Sequence, residues 1–284
     1  NRQCSTVLQT MEPLLKVRPV ESSRSLSKTI LSFVPGDAVL AARRCIGGGP
    51  LTRTGELVHC AAMRVIRVVS VLVALGWTAW SASIPDFVRL AQDRHGAAGE
   101  SAARFLAEHM TESDRSNLSN EFLLENLDLA FRARKEFPWA TQVPEAVFLN
   151  DVLPYAVFDE PRDPGRAELL ALSRDLVKDA HSASEAAQAL NRQLFKLVNV
   201  HYNTGRKRPN QSLKESKALG KATCTGLSII LVEACRSVGI PARAVGTPMW
   251  TNERGNHTWV EIWDGDWHFA GADEYDAAGL DRGW

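Results

Sequence analysis

From residue 84 to about 135, apolar positions recur at helical spacing. In NEFLLENLDLAFRARKEF, residues 120–137, Leu123, Leu127, Ala130 and Phe131 fall three and four apart with Glu, Asp and Arg between them, the stripe of a half-buried helix. Pro138 ends it. Five prolines follow between 138 and 164 among large apolar residues, which reads as an ordered, packed connector rather than a loose linker. Two further helices are predicted, over residues 166–180 and from 182 onward. Ser182 with Glu185 forms a capping box at the start of the second, and Leu190, Leu194, Leu197 and Val198 form its buried stripe. His201 continues that face, which predicts a partly buried structural histidine.

Beyond Tyr202 the pattern changes. Residues 206–221 are polar and basic, with Arg206, Lys207, Arg208, Lys214, Lys217 and Lys221 against Glu215 alone. The simplest reading is a solvated face, with a bias toward acidic substrates as the sharper one. Next comes the apolar run CTGLSIILVEACRSVGIPAR, predicted as a helix that begins at Cys224 and is stopped by Gly239 and Pro241. ARAVGTPMW reads as a strand, TNERGN as a loop, HTWVEIW as an alternating strand and WHFAGAD as its partner, so 257–273 is a predicted hairpin.

The 284 residues are 45% hydrophobic and 23% charged with a net charge of zero, so no global field argues for nucleic acid or an anionic membrane as the main partner. The balance is uneven: residues 1–62 carry eight Lys and Arg against four Asp and Glu. That stretch begins with Asn1 rather than Met, lacks any sustained period, and reads as a disordered extension or as upstream sequence joined in error. Residues 63–83, MRVIRVVSVLVALGWTAWSAS, have the three-part layout of a signal peptide starting at Met63: Arg64 and Arg67, an apolar run of about a dozen residues, then small residues. The run is short for a membrane span, which takes about 20 residues. The expectation is an exported protein with no stable membrane anchor after cleavage.

Of the five cysteines, Cys224 and Cys235 alone lie beyond that segment. Eleven positions on one helix separate them by roughly 16 Å at about 1.5 Å per residue, too far for a disulfide, which needs Cα atoms within about 7 Å. Cys235 falls on the core face. Cys224 stands where unpaired N–H groups and the helix dipole favour an anion, and the thiolate is the reactive form of the side chain. The same N–H groups can serve as half of an oxyanion hole. Small neighbours, Thr223, Thr225 and Gly226, leave room for substrate.

A thiolate that transfers acyl groups needs a proton donor for the leaving amine, most often histidine. His257 opens a strand after a loop, where its ring can reach out. If Asp264–Asp266 form a three-residue loop, Trp263 pairs with Trp267, His268 faces Ile262, and His257 faces Asp273 on the other side of the ribbon. Asp273 would then orient the imidazole, with Glu274 as its rival. A zinc site from Cys224, Cys235, His257 and His268 fails on spacing, since no close pair of ligands exists. No metal and no cofactor-binding residue is indicated. Of the tryptophans near the C-terminus, Trp259 and Trp263 read as core.

These residues resemble the transglutaminase-like superfamily. The likeness rests on the helix-starting Cys224, on Arg236 with Gly239-Ile240-Pro241-Ala242-Arg243, and on His257, Trp259, Glu261 and Trp267, and it spans about residues 205–275. It implies an α+β fold: a papain-like core in which the nucleophile helix packs on an antiparallel sheet, preceded by a helical region. It also implies Cys224 as nucleophile and His257 as base. In many members the acid lies four residues past the strand tryptophan, here Gly271, so Asp273 would be a substitute. The calcium sites of crosslinking members are not recognisable. The expected domains are a helical region over 84–204 and a catalytic core over 205–284, shortened at its C-terminus. The expected activity is thiol-dependent acyl transfer at peptide or protein amides, most simply hydrolysis by a peptidase or amidase. The alternatives are a crosslinking transglutaminase and a noncatalytic binding module that keeps the fold.

Overall fold

The computed structural model describes residues 83–283, so the expectations for 1–62 and for the signal segment up to residue 82 lie outside the described residues. Helices α1 (Ile84–His109), α2 (Glu112–Asn117), α3 (Asn120–Glu136) and α4 (Glu145–Asp151) come first, with a 3₁₀ turn at Pro138–Gln142 between α3 and α4. The connector is ordered, as its composition predicts, and the helix within it was not foreseen. Phe148, Val152 and Leu153 anchor it by packing with Leu123, Leu127, Ala130 and Phe131 of α3 and with Phe87, Ala91, Ala102 and Leu106 of α1.

A second hydrophobic cluster lies under the predicted catalytic segment. It draws on α5 (Gly165–Val177), α6 (Ala183–Val198), α7 (Leu213–Leu219), α8 (Cys224–Ser237) and the strands β3 (Ala242–Thr247) and β4 (His257–Trp263). Ser182 caps α6 as predicted, its Oγ accepting from Glu185 N–H at 3.1 Å, while Glu185 Oε2 reaches one residue past the cap and accepts from His181 N–H at 2.8 Å. Leu190, Leu194 and Val198 are buried as predicted, but Leu197 is 54% exposed and His201 is exposed too. The cause is local. Positions 190, 194 and 198 stack one turn apart on a single line, and Leu197 falls beside it. Asn199 then ends the helix in the left-handed region at φ 53°, which turns His201 off the helical face.

Beyond α6, β1 (His201–Tyr202) runs parallel to β2 (Lys221–Ala222), which leads straight into α8. A second sheet has the order β3–β4–β5, all antiparallel, with β5 at Trp267–Ala270. Thr258, Val260 and Ile262 of β4 are buried and alternate with half-buried His257, Trp259, Glu261 and Trp263. Trp263 packs against the cluster of α1, α3 and α4, and Trp259 stacks with Trp250. Helix α8 ends at Ser237 and the chain turns at Gly239, whose φ of +75° suits the turn; an added Cβ there would lie 2.6 Å from the Cβ of Ala140.

The basic stretch 206–221 is partly neutralised at the surface. Lys207 and Arg208 both pair with Glu215, and Lys217 pairs with Glu168. Among the described residues, no helix is long and apolar enough to cross a membrane.

Candidate active site

Helix α8 runs as its sequence predicts, with Ile229, Ile230, Leu231 and Val232 buried behind the half-buried Cys224. Thr223 is its N-cap residue, yet the Thr223 side chain makes no capping hydrogen bond. Serines do cap α3, α6 and α7, at Ser119, Ser182 and Ser212. The Thr223 hydroxyl therefore does not claim the first-turn N–H groups of α8, and these are the donors an oxyanion needs. Cys235, on the same helix, is fully buried, and that burial pushes its thiol up to about 12.

The structure brings the start of β4 to the start of α8. Thr225, one residue past Cys224, and Thr258, one residue past His257, share a hydroxyl hydrogen bond of 3.1 Å. One turn further on, Ser228 Oγ donates to the Thr258 carbonyl at 3.2 Å. At the far ends, Arg236 near the end of α8 donates to the carbonyl of Ala242, which pairs with Ile262. Helix and strand thus run in the same direction, and Cys224 and His257 both stand at the beginning of their elements, at one end of the domain.

His257 is half-buried, its ring stacked with Trp250 at 6.1 Å and with Trp259 at 6.3 Å between centroids. Trp250 comes from the loop between β3 and β4, where its N–H donates to Gly255 O and its carbonyl accepts from Glu253 N–H. The ring is therefore held from the side by the sheet and its own loop.

The hairpin register is the predicted one: Trp263 pairs with Trp267 and Ile262 with His268. The ladder stops, however, at the pair Val260 and Ala270, so His257 and Asp273 do not become cross-strand partners. Asn191 of α6 holds the chain just past that point. Its Nδ2 donates to Gly271 O at 2.9 Å, and its Oδ1 accepts from Asp273 N–H at 2.9 Å. The chain is drawn away from β4 there, with Asp273 in the left-handed region at φ 64°. Burial raises the Asp273 carboxyl above its usual range, His201 opposes the shift, and Glu274 adds to it. The rival residue is the one near the ring: Glu274 Oε1 lies 3.9 Å from His257 Nε2.

His268 has a carboxylate of its own, with Asp281 Oδ2 2.6 Å from its Nδ1. Sequence reasoning named Thr225 only as a small neighbour of Cys224, and did not single out Thr258, Asn191 or Trp250. Two signals were available: the two threonines follow Cys224 and His257 at the same offset, and Asn191 is a polar residue beside the apolar stripe of α6. Among the described residues, no group of three or more His, Cys, Asp and Glu is placed to hold a metal ion.

None of the curated proteins matches the chain. A solved structure of a candidate cysteine protease from Cytophaga hutchinsonii is similar at 17% identity and a TM-score of 0.38. It covers 51% of this chain and 47% of that one, so this chain spans about half the length of that neighbour. Residues 170–274 match the transglutaminase-like superfamily, beginning upstream of the boundary expected at 205 and taking in α6, the helix that supplies Asn191. The fold is a mixture of helix and sheet in which a helical N-terminal region precedes a transglutaminase-like superfamily domain at residues 170–274.

Proposed function

We propose that this domain is a thiol-dependent enzyme that transfers acyl groups from peptide or protein amides, with water as the acceptor. The observation that carries the reading is the common origin of α8 and β4, joined through Thr225 and Thr258. It sets a cysteine at a helix start and a histidine at a strand start at the same end of one domain.

In this reading Cys224 attacks the amide carbonyl carbon as thiolate, and the first-turn N–H groups of α8 receive the negative charge that develops on oxygen. The His257 imidazolium gives its proton to the leaving amine as the C–N bond breaks. Water then attacks the thioester, its proton passes to the imidazole, and the acid is released with the thiolate regenerated. Cys235 takes no part, because its sulfur is buried and held as thiol.

Alkylation by iodoacetamide at pH 6 tests this. Cys224 should label rapidly and stoichiometrically, His257→Ala should abolish the rapid phase, and Cys235 should stay unlabelled. Sluggish labelling of both cysteines would leave a binding module that keeps the fold. Incorporation of a tagged amine into a casein acceptor would replace water by an amine in the second step and make the domain a crosslinking enzyme.

A further inference from the structure

The turn after β5 returns a carboxylate to a position where the sequence has no side chain. Gly271 does not lie in the left-handed region, so its backbone would suit any residue. A Cβ built on it would nonetheless fall 2.6 Å from Cδ and 2.9 Å from Cβ of Glu274. The volume that a side chain at 271 would take is already filled by the carboxyl arm of Glu274.

Several contacts keep that arm in place. Glu274 N–H donates to Gly271 O at 3.1 Å, which closes the turn, and Asp273 supplies its left-handed corner. Asn191, 3% exposed, grips the turn at Gly271 O and at Asp273 N–H. Ala272 is buried in the core between them. The backbone at 271–274 is thus pinned to α6, and the Glu274 side chain folds back over Gly271 toward β4. Its Oε1 stands at ion-pair distance from His257 Nε2, 3.9 Å, within reach of a hydrogen bond after a small rotation.

We propose that Glu274, folded into the space left by Gly271, is the positioning residue for His257, and that Asp273 serves the turn rather than the imidazole. The inference rests on the proposed function, in which His257 moves the proton. A carboxylate at Nε2 accepts the Nε2–H, leaves Nδ1 as the nitrogen without a proton in the neutral ring, and steadies the imidazolium that forms during the reaction. Titratable groups beside the turn include Asp273, His201 and Tyr275, and both His201 and Glu274 act on the Asp273 carboxyl, in opposite directions.

The test is the rate of Cys224 alkylation by iodoacetamide, measured against pH in the full chain. Glu274→Gln should slow labelling at pH 6 by about tenfold or more, the scale of one hydrogen bond to a charged group. It should also move the acidic limb of the profile toward the free-thiol value near 8.5. Gly271→Ala meets the carboxyl of Glu274 and, at 2.9 Å, its Cβ, so it should evict the arm with a slight shift of the turn and give a loss at least as large; with Glu274→Gln already in place it should add little beyond that shift. Gly271→Asp combined with Glu274→Gly, which also removes the Cβ that the new side chain would meet, puts a carboxylate back in the same volume and should restore most of the rate. Asp273→Asn should lose less than Glu274→Gln. Cys235 remaining unlabelled in each variant shows that the fold is kept.

Wild-type labelling that does not depend on His257 would remove the enzymatic reading itself. If that dependence holds, the positioning role is overturned by a wild-type rate in Glu274→Gln, by additive losses in the Gly271→Ala pair, or by a greater loss in Asp273→Asn.

Discussion

At the scale of single residues, the buried charges at the far end of α8 have the clearest consequence for stability. Glu233 lines a cavity of about 30 Å³ together with Tyr155, Asp163, Arg166 and Arg236. Burial pushes its carboxyl from an ordinary 4.5 up to about 8, and the nearby Glu160 carboxylate adds to the shift, against the pull of Arg236 and Arg166. The folded chain therefore holds a proton that the unfolded chain has already released between those two values. Stability should fall as pH rises through that window, by up to about 1.4 kcal/mol per pH unit, and level off above it. Glu233→Gln mimics the protonated side chain. Urea titrations at pH 5 and pH 8.5 should show the variant gaining on the wild type at the higher pH, and an unchanged difference would refute the assignment. Arg236 needs no carboxylate beside it to be satisfied, since its guanidinium donates to the carbonyls of Asp151, Ala156 and Ala242.

Between elements, the decisive contact is the one from α8 to β4. Thr225 and Ser228 lie three apart on α8 and both engage Thr258, so one turn of helix grips one residue of the strand. Thr258 is 9% exposed, and removing its hydroxyl leaves that of Thr225 without its partner in a part-buried place. Thr258→Val keeps the shape and the strand preference. It should cost about 1 kcal/mol in denaturant unfolding and slow Cys224 alkylation severalfold. Thr258→Ser should recover the labelling rate, and a variant that labels like the wild type would show that the clasp does not set the approach of the two elements.

For the whole molecule, the helical N-terminal region and the segment that carries Cys224 pack as one compact unit. Ala133, Phe137 and Ala140 enter the same hydrophobic cluster as α6, α8 and β4. Trp139 Nε1 donates to the carbonyl of Val238 at 2.9 Å, and Arg236 takes carbonyls from Asp151 and Ala156. A chain begun at Gly165 would lose these acceptors and leave a buried guanidinium partly unpaired, a fault worth several kcal/mol. Such a chain should show no cooperative melt by circular dichroism, whereas one begun at Ser83 should. A sharp transition in the shorter chain within a few degrees of the longer one would make the two regions independent.

Local order set what could be read without coordinates. The period of α3, the Ser182 cap of α6, the stop at Gly239 and the three-residue hairpin loop each involve residues within a few positions of one another. Periodicity and turn chemistry therefore suffice to place them, and the cysteine and histidine at the starts of their elements were legible for that reason. Which carboxylate meets His257 was not legible. The ladder ends at Val260 and Ala270, and past it Asn191, some 80 positions earlier in the chain, holds Gly271 and Asp273 in a turn. Leu197 was misplaced because it lies beside the line of 190, 194 and 198, and His201 because a helical face extrapolated beyond Val198 takes no account of the left-handed Asn199. Local pattern determined the elements and where the chemistry begins on each of them. Only packing between distant segments decided which groups those elements turn toward one another.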